Sequence, residues 1–151
     1  MKIIHTIKRY MLLYGVTIIS VLWFNYNVIT TVTIRGDSML PTLQDHSIRL
    51  VLRCKIFERD SIVLLKSKDG TYMIKRIIGI EGDEIVMKTS ELYVNGVLHD
   101  KKKNSNDADY IKIIRVPEKT VFVLGDNRLQ SFDSQEFGCV DKSQLVGIVI
   151  E

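Results

Sequence analysis

A run of 25 residues without a charged side chain, from Tyr10 to Ile34, constrains the fold of this chain more than any other feature. A membrane-spanning helix needs roughly 20 predominantly apolar residues, and the segment YMLLYGVTIISVLWF supplies the core of one. Lys8 and Arg9 precede the run, and the positive-inside rule places such a basic flank in the cytoplasm. The sequence therefore predicts a cytoplasmic N-terminus at 1–9, a transmembrane anchor in the lipid bilayer at 10–30 and an extracytoplasmic domain at 31–151.

Two alternatives to an anchor remain for this run. A cleaved signal peptide needs small residues before the cut, typically Ala-x-Ala, and the only alanine of the chain is Ala108. A buried core helix needs a polar stripe along one side, whereas this segment is apolar nearly all round. An anchor therefore accounts for the residues better than either alternative.

The net charge of +3 is confined to the N-terminus. Lys2, Lys8 and Arg9 precede Arg35 and no acidic residue does, so 21 basic residues minus these three leave 18 to balance 18 acidic ones. A protein that binds nucleic acid needs a basic face to neutralise the phosphates. The neutral domain therefore argues against nucleic acid as a partner.

Beyond the anchor, the chain consists of short apolar or alternating segments separated by Gly, Asp and Pro, which is typical of β-strands. Asn95-Gly96 is a strong hairpin signal. Long helical periodicity is absent after residue 35, and Lys101 to Asp109 is predicted to be a polar loop. The pattern predicts a mainly β fold of coiled antiparallel sheets or a barrel. The predicted strands lie in VTIRG, SIRLVLRC, SIVLLK, TYMIKRIIGI, EIVMK, ELYVNGVLH, IKIIRV, TVFVLGD and LVGIVI.

Cys54 and Cys139 are the two cysteines of the chain. They can form a disulfide in an oxidising compartment, but ordinary core or surface residues are the favoured interpretation of both, since sequence does not show whether the two side chains face each other. No C-x-x-C motif occurs and the histidines are scattered, so the sequence predicts no metal site and no cofactor.

Ser38 lies in RGDSMLPT, directly after the uncharged run, and a serine hydroxyl attacks only when a nearby group accepts its proton. His5 precedes the anchor, and neither His46 nor His99 has an obvious orienting carboxylate, which disfavours a histidine-based triad. A lysine, with an ordinary pKa near ~10.4, serves as a base only where burial disfavours its charge. Lys75, inside the apolar segment MIKRIIGI, fits that requirement.

Taken singly, Ser38 is better explained by a turn, and Lys75 by an ion pair with an acidic residue or a position at a sheet edge. A third segment, GDNRLQSFDSQEFG at 125–138, changes the balance. It places many hydrogen-bonding side chains directly after the apolar strand TVFVL. Such a loop can orient the amine of a lysine and support a catalytic site.

These three segments, in this order after one N-terminal anchor, resemble the type I signal peptidases, which are membrane-bound serine–lysine proteases. GDSMLPT resembles the nucleophile box of that family, IKRIIGIEGD its lysine box and GDNRLQSFDS its final box. The resemblance covers nearly the whole chain and points to the compact form of Gram-positive bacteria. It implies an all-β catalytic domain, no cofactor, the signal peptides of secreted preproteins as substrates, and proximity to the secretion translocon.

The resemblance also implies roles for individual residues. Ser38 is expected to be the nucleophile, Lys75 the general base, and the backbone N–H of Ser38 a donor to the oxyanion. Ser131 matches the serine that hydrogen-bonds the lysine. The residues that match structural members of the final box are Asp126, Arg128, Asp133 and Ser134. The residues that match the apolar substrate pocket are Val32, Ile34, Met39, Leu43, Leu64, Met73 and Ile74.

Four positions, in three places of the chain, depart from the family pattern. Gly36 stands where many members have a hydroxyl that is the second oxyanion donor, and one such donor is worth ~3 kcal/mol. Gln135 replaces an arginine that pairs with the aspartate matching Asp133, which is expected to loosen the loop. Asp60-Ser61 replaces a Gly-Asp pair. None of these changes touches Ser38 or Lys75.

Two other functions compete with a signal peptidase. A self-cleaving serine–lysine regulator of related fold would be soluble and carry a DNA-binding domain, which the uncharged run argues against. A catalytically weak or inactive anchored paralogue that binds preproteins or partners is consistent with the changes at Gly36 and Gln135.

Overall fold

The computed structural model describes residues 2–89, 91–101 and 111–150. Helix α1 spans Lys2–Val28 and a short helix, α2, spans Ser134–Phe137. A 3-10 turn covers Lys142–Gln144. The strands are β1 (Ile29–Thr33), β2 (Ile48–Leu52), β3 (Ile62–Lys66), β4 (Tyr72–Ile80), β5 (Glu84–Lys88), β6 (Glu91–Val94), β7 (Val97–Lys101), β8 (Ile111–Arg115), β9 (Thr120–Leu124), β10 (Val140–Asp141) and β11 (Leu145–Val149).

Helix α1 leaves the body of the protein with its side chains exposed, from Ile3 to Trp23 with the exception of Gly15. It ends at Val28, and β1 begins at the next residue, so the predicted anchor at 10–30 runs from within the helix into β1. In the part of the chain that the structure describes, no helix is both long and apolar enough to cross a membrane.

The strands form two antiparallel sheets, which confirms the predicted mainly β fold behind one N-terminal helix. The larger sheet has seven strands in the order β1-β2-β11-β3-β4-β9-β10, and the smaller has four in the order β7-β6-β5-β8. Strands β1 and β4 line one common cavity although three strands separate them in the larger sheet. The larger sheet is therefore strongly curled, and the cavity lies on its concave side.

Apolar residues fix the positions of the strands around this cavity. Strand β3 is buried at four successive positions, Ile62 to Leu65, and pairs with the first half of β4. Strand β4 pairs with β9 only from Arg76 onward, where Arg76 lies opposite Leu124. The segment Tyr72–Lys75 therefore keeps one strand edge free of β9, on the side where the chain after Leu124 turns away.

Several local predictions can be compared with the structure. The Asn95-Gly96 hairpin is confirmed, because both residues have positive φ (51° and 79°) between the paired strands β6 and β7. Cys54 and Cys139 are free thiols, so the disulfide alternative is wrong for this structure. The polar loop predicted for Lys101 to Asp109 lies outside the described residues from 102 onward. Helix α2 and strand β10 are elements that sequence reasoning missed.

Candidate active site

The curled sheet encloses an open cavity of about 330 Å³. Ser38 and Lys75, which are 37 positions apart in the sequence, both line it. Ser38 follows the end of β1, and Lys75 lies in the middle of β4. The remaining lining residues are Val32, Thr33, Ile34, Arg35, Met39, Leu64, Tyr72, Met73 and Ile74.

Lys75 is 3% exposed, which is rare for a lysine. Its Nζ donates a hydrogen bond to Oγ of Ser131 at 2.9 Å. Burial lowers the pKa of Lys75 from the ordinary value, while the charges of Asp133 and Glu136 oppose this shift. Because desolvation disfavours the ammonium form, a larger fraction of the buried amine is neutral near neutral pH than for an exposed lysine, and only the neutral amine can accept a proton.

The loop that carries Ser131 is held in place mainly by hydrogen bonds from main-chain N–H groups to the side chains of Asp133 and Ser134. Asp133 caps α2, with Oδ1 accepting from the N–H of Gln135 at 3.1 Å and Oδ2 accepting from the N–H of Gly125 at 3.0 Å. The hydroxyl of Ser134 accepts from the N–H of Val123 at 3.0 Å. The carboxylate of Asp133 therefore has two main-chain partners, and the side chain at position 135 is not needed to hold it.

Asp126 and Arg128 lie away from the cavity that holds Ser38. Arg76 binds the carboxylate of Asp126 through two hydrogen bonds of 2.9 and 2.8 Å, and Arg128 pairs with Asp100 at 3.0 Å. These four residues, with Thr42, His99 and neighbours, line a second cavity of about 330 Å³. Their ion pairs fasten the 125–138 loop to both sheets, which is a structural role.

His46 and His99 each contact a carboxylate, contrary to the expectation from the sequence, but both lie outside the cavity that contains Ser38. Nε2 of His99 lies 2.9 Å from Oδ1 of Asp60, in the wall of the second cavity. His46 is exposed and contacts Asp45 at 3.2 Å. Neither histidine lines the cavity that contains Ser38.

Gly125 and Asn127 join the lysine side of the cavity to the serine side. A Cβ at Gly125 would lie 2.1 Å from Oγ of Ser131 and 2.6 Å from the carbonyl oxygen of Ser38. The N–H of Asn127 donates to that same carbonyl at 3.0 Å, and its Nδ2 donates to the carbonyl of Asp37 at 3.1 Å. Sequence reasoning missed both roles, and the only signal was their place in the polar segment after β9.

The backbone before Ser38 adopts an unusual conformation. Gly36 has φ of +87°, which L side chains rarely adopt, and its N–H donates to Oδ1 of Asp45 at 2.9 Å. This geometry explains why the position carries glycine here. Among the described residues, neither the N–H nor the hydroxyl of Ser38 has a hydrogen-bond partner. The N–H of Ser38 is thus available to an incoming oxyanion, while that of Gly36 is already engaged.

The structure brings six of the seven predicted pocket residues to the cavity. Leu43 is the exception, since it is fully buried in the core cluster that also contains Ile34 and Met39. Thr33, Arg35 and Tyr72 also line the cavity and had not been predicted to do so. The wall therefore combines apolar side chains with polar ones, among them Ser38 and the cationic side chain of Arg35.

Comparison with known proteins agrees with this arrangement. The family model for signal peptidase, peptidase S26, matches residues 7–150. The chain is 33% identical to signal peptidase I V of Bacillus subtilis (strain 168), over 94% of this chain and 96% of that protein. It is 32% identical to signal peptidase IB of Staphylococcus aureus (strain COL), over 81% of this chain and 76% of that protein. A crystal structure of a signal peptidase I from Enterococcus faecalis V583 matches with a TM-score of 0.54 and 29% identity, covering 63% of this chain and 97% of that one.

Proposed function

The chain belongs to the signal peptidase family, peptidase S26, and on that premise we propose that it is a serine endopeptidase that removes signal peptides from exported preproteins. The observation that supports the proposal is the shared cavity, which both the buried Lys75 and Ser38, whose hydroxyl has no partner among the described residues, help to line. Ser38 is the nucleophile and Lys75 is the general base.

The acylation step follows from these two groups. Oγ of Ser38 attacks the carbonyl carbon of the scissile peptide bond, and its proton moves to the neutral Nζ of Lys75. The oxyanion that forms accepts a hydrogen bond from the N–H of Ser38. When the tetrahedral intermediate collapses, the C–N bond breaks, the ammonium of Lys75 returns the proton to the leaving amine, and the signal peptide remains as an ester on Ser38.

Deacylation repeats the sequence with water. Lys75 takes a proton from the water as it attacks the ester, and the same ammonium then protonates Oγ of Ser38 as the signal peptide leaves. Ser131 acts throughout as the acceptor that fixes the direction of Nζ, at 2.9 Å in the resting enzyme. It is a positioning residue, because it touches the lysine and not the substrate.

The substrate is an extended peptide cut after a small-x-small motif. The free edge of Tyr72–Lys75 can pair with such a peptide through main-chain hydrogen bonds. Alternate side chains of an extended peptide point the same way, so the two small residues enter the apolar cavity while the residue between them points outward. Val32, Ile34 and Met73 are among the side chains that line the cavity for them.

The helix α1 is proposed to anchor the enzyme in the lipid bilayer, with 1–9 in the cytoplasm, 10–30 as the anchor and 31–151 outside. Apolar side chains such as Leu12, Ile19 and Leu22 are more than half exposed along it, and water is an unfavourable environment for such a surface. An anchor joined directly to β1 holds the cavity near the membrane, where signal peptides leave the secretion translocon, and raises their effective concentration. Release of the protein from membranes by alkaline carbonate alone would contradict this topology.

The activity is tested with the purified protein in detergent and a preprotein that carries a signal peptide. Ser38→Ala and Lys75→Ala should each reduce cleavage to the uncatalysed level, while Lys55→Ala, at an exposed lysine outside the cavity, should cleave as wild type does. An inactive wild-type protein that still binds the preprotein would favour the non-catalytic paralogue. Cleavage that survives both substitutions would contradict the dyad.

A further inference from the structure

We propose that Arg35 gives this enzyme a preference for an acidic residue at the middle position of the small-x-small motif. The inference rests on the proposed function and adds a specificity determinant to it. It concerns a side chain that contributes to the cavity wall between Ile34 and the nucleophile segment.

The first observation is that Arg35 is exposed while its neighbour Ile34 is buried. Ile34 is 2% exposed and packs in the core, whereas Thr33 and Arg35, on either side of it, are exposed. This alternation is that of an extended chain with one face inward and one face outward. A peptide that lies along the same wall alternates in the same way, so its outward side chain lies on the side of Arg35.

The second observation is the charge of the cavity wall. Of the residues that the structure describes, Arg35 and Lys75 are the only cationic side chains that line it, and no carboxylate does. Lys75 must be neutral to act as a base, so Arg35 supplies the lasting positive charge. Among the described residues, Arg35 has no ion-pair or hydrogen-bond partner, which leaves its guanidinium free to meet a carboxylate of the substrate.

The distance from the reacting atoms restricts the position of the acidic residue. Arg35 precedes Ser38 by three residues, which is at most about 10 Å of extended chain. In the substrate, the residue directly before the scissile bond and the one two positions before that residue direct small side chains inward. The residue between them directs its side chain outward, at a distance from Ser38 that a long arginine side chain can cover.

The expected size of the preference is modest because the pair is exposed to solvent. Exposed ion pairs are weak, so kcat/KM for a peptide with aspartate at this position should be about two- to fivefold higher than for the same peptide with asparagine. A peptide with lysine there should be cleaved more slowly than the asparagine peptide. Both differences should shrink as salt concentration rises, since screening weakens exposed charge pairs.

The test compares three peptides that are identical except for Asp, Asn or Lys at the middle position. The ratios of kcat/KM are measured for wild type, Arg35→Gln, Arg35→Glu and the matched control Arg53→Gln, which removes an exposed arginine outside the cavity. Arg35→Gln should bring the Asp-to-Asn ratio close to one, and Arg35→Glu should favour the lysine peptide. The control should retain the wild-type ratio.

Equal Asp-to-Asn ratios in wild type and Arg35→Gln, including a wild-type ratio of one, would overturn the inference. A loss of the ratio in Arg53→Gln as well would also overturn it, because a long-range charge effect would then explain the preference. Cleavage of the asparagine peptide by wild type distinguishes a failure of this inference from a failure of the proposed function. Failure of wild type to cleave that peptide counts against the peptidase itself, whereas cleavage without discrimination counts only against Arg35.

Discussion

The cavity has a lysine wall and a nucleophile wall that differ in exposure. The lysine wall is formed by β4, to which residues 125–138 are hydrogen-bonded from outside the cavity, and the nucleophile wall is residues 33–38, which are largely exposed. On the lysine wall, Lys75, Asp133 and Ser134 are buried and each has a hydrogen-bond partner. On the nucleophile wall, the hydroxyl of Ser38 has no partner among the described residues.

The difference reflects what each group must do. A lysine becomes a base only where desolvation disfavours its charge, and desolvation requires tight packing around the amine. A nucleophile must instead be reached by a peptide carbonyl, so its segment cannot be covered. The nucleophile wall is therefore fixed from its sides, by the contact of Gly36 with Asp45 and the contacts of Asn127 with Asp37 and Ser38.

The contact between the two walls is the point at which one substitution should disturb both. Gly125→Ala places a Cβ within 2.6 Å of the Ser38 carbonyl oxygen and 2.1 Å of the Ser131 hydroxyl. The backbone of Ser38 and the side chain of Ser131, which is the hydrogen-bond partner of Lys75, must both shift. A displacement of about 1 Å in an active site costs on the order of 100-fold in rate. We expect kcat/KM for a preprotein to fall by at least that factor. Gly15→Ala, where an added Cβ has no neighbour within 4 Å, is the control. Near-normal activity in Gly125→Ala would show that the walls are not in the tight contact described.

Asn127 offers a way to loosen the nucleophile wall alone. Asn127→Ala removes the side-chain hydrogen bond to Asp37 and keeps the backbone one to Ser38. One hydrogen bond of this kind contributes about 0.5–1.5 kcal/mol, so kcat should fall roughly three- to tenfold with little change in KM. Gln130→Ala, at an exposed residue of the same loop, should leave both constants unchanged. A rise in KM with constant kcat would instead assign Asn127 to substrate binding.

The burial of Lys75 should carry a cost in stability that the nucleophile wall does not share. The pKa of Lys75 is lowered in the folded chain, so below the ordinary value of 10.5 the unfolded chain binds the proton more tightly. Folding is therefore penalised as the pH falls below that value. Lys75→Met should raise Tm at pH 7 by a few degrees, since 1 kcal/mol corresponds to about 2–4 °C in a domain of this size. The gain should shrink as the pH approaches 10.5.

The control for this measurement is Lys55→Met, which removes an exposed lysine and should show no comparable pH dependence. A gain in Tm for Lys75→Met that is the same at every pH would assign the effect to packing. A loss of stability at neutral pH would contradict the burial penalty.

The strands and the two reactive residues could be predicted from the sequence because their signals are local. Short apolar or alternating segments mark the strands other than β10, and Lys75 stands out as a lysine within an apolar segment. The order of three polar motifs after an uncharged run led to the family. These features depend on neighbours in the chain and not on tertiary contacts.

The remaining features depend on contacts between distant segments. Asn127 bonds to Asp37 across 90 positions, and no local pattern reveals that pairing. The backbone donors to Asp133 made the arginine expected at position 135 unnecessary, which a comparison of side chains could not show. The positive φ of Gly36 explains why this position does not carry the hydroxyl-bearing side chain that many family members have. Leu43 lies behind the cavity because it packs in the core cluster with Ile34 and Met39.

The pH dependence of kcat/KM for preprotein cleavage tests the central claim most directly, since it reports the pKa of the essential base in the free enzyme. Because burial lowers the pKa of Lys75, kcat/KM should rise with pH through a single transition whose midpoint lies below 10.5. Activity should be lost in acid as the amine becomes protonated. Activity that stays constant down to acidic pH would contradict a lysine base. A transition with its midpoint at the ordinary lysine pKa would contradict a base that is buried.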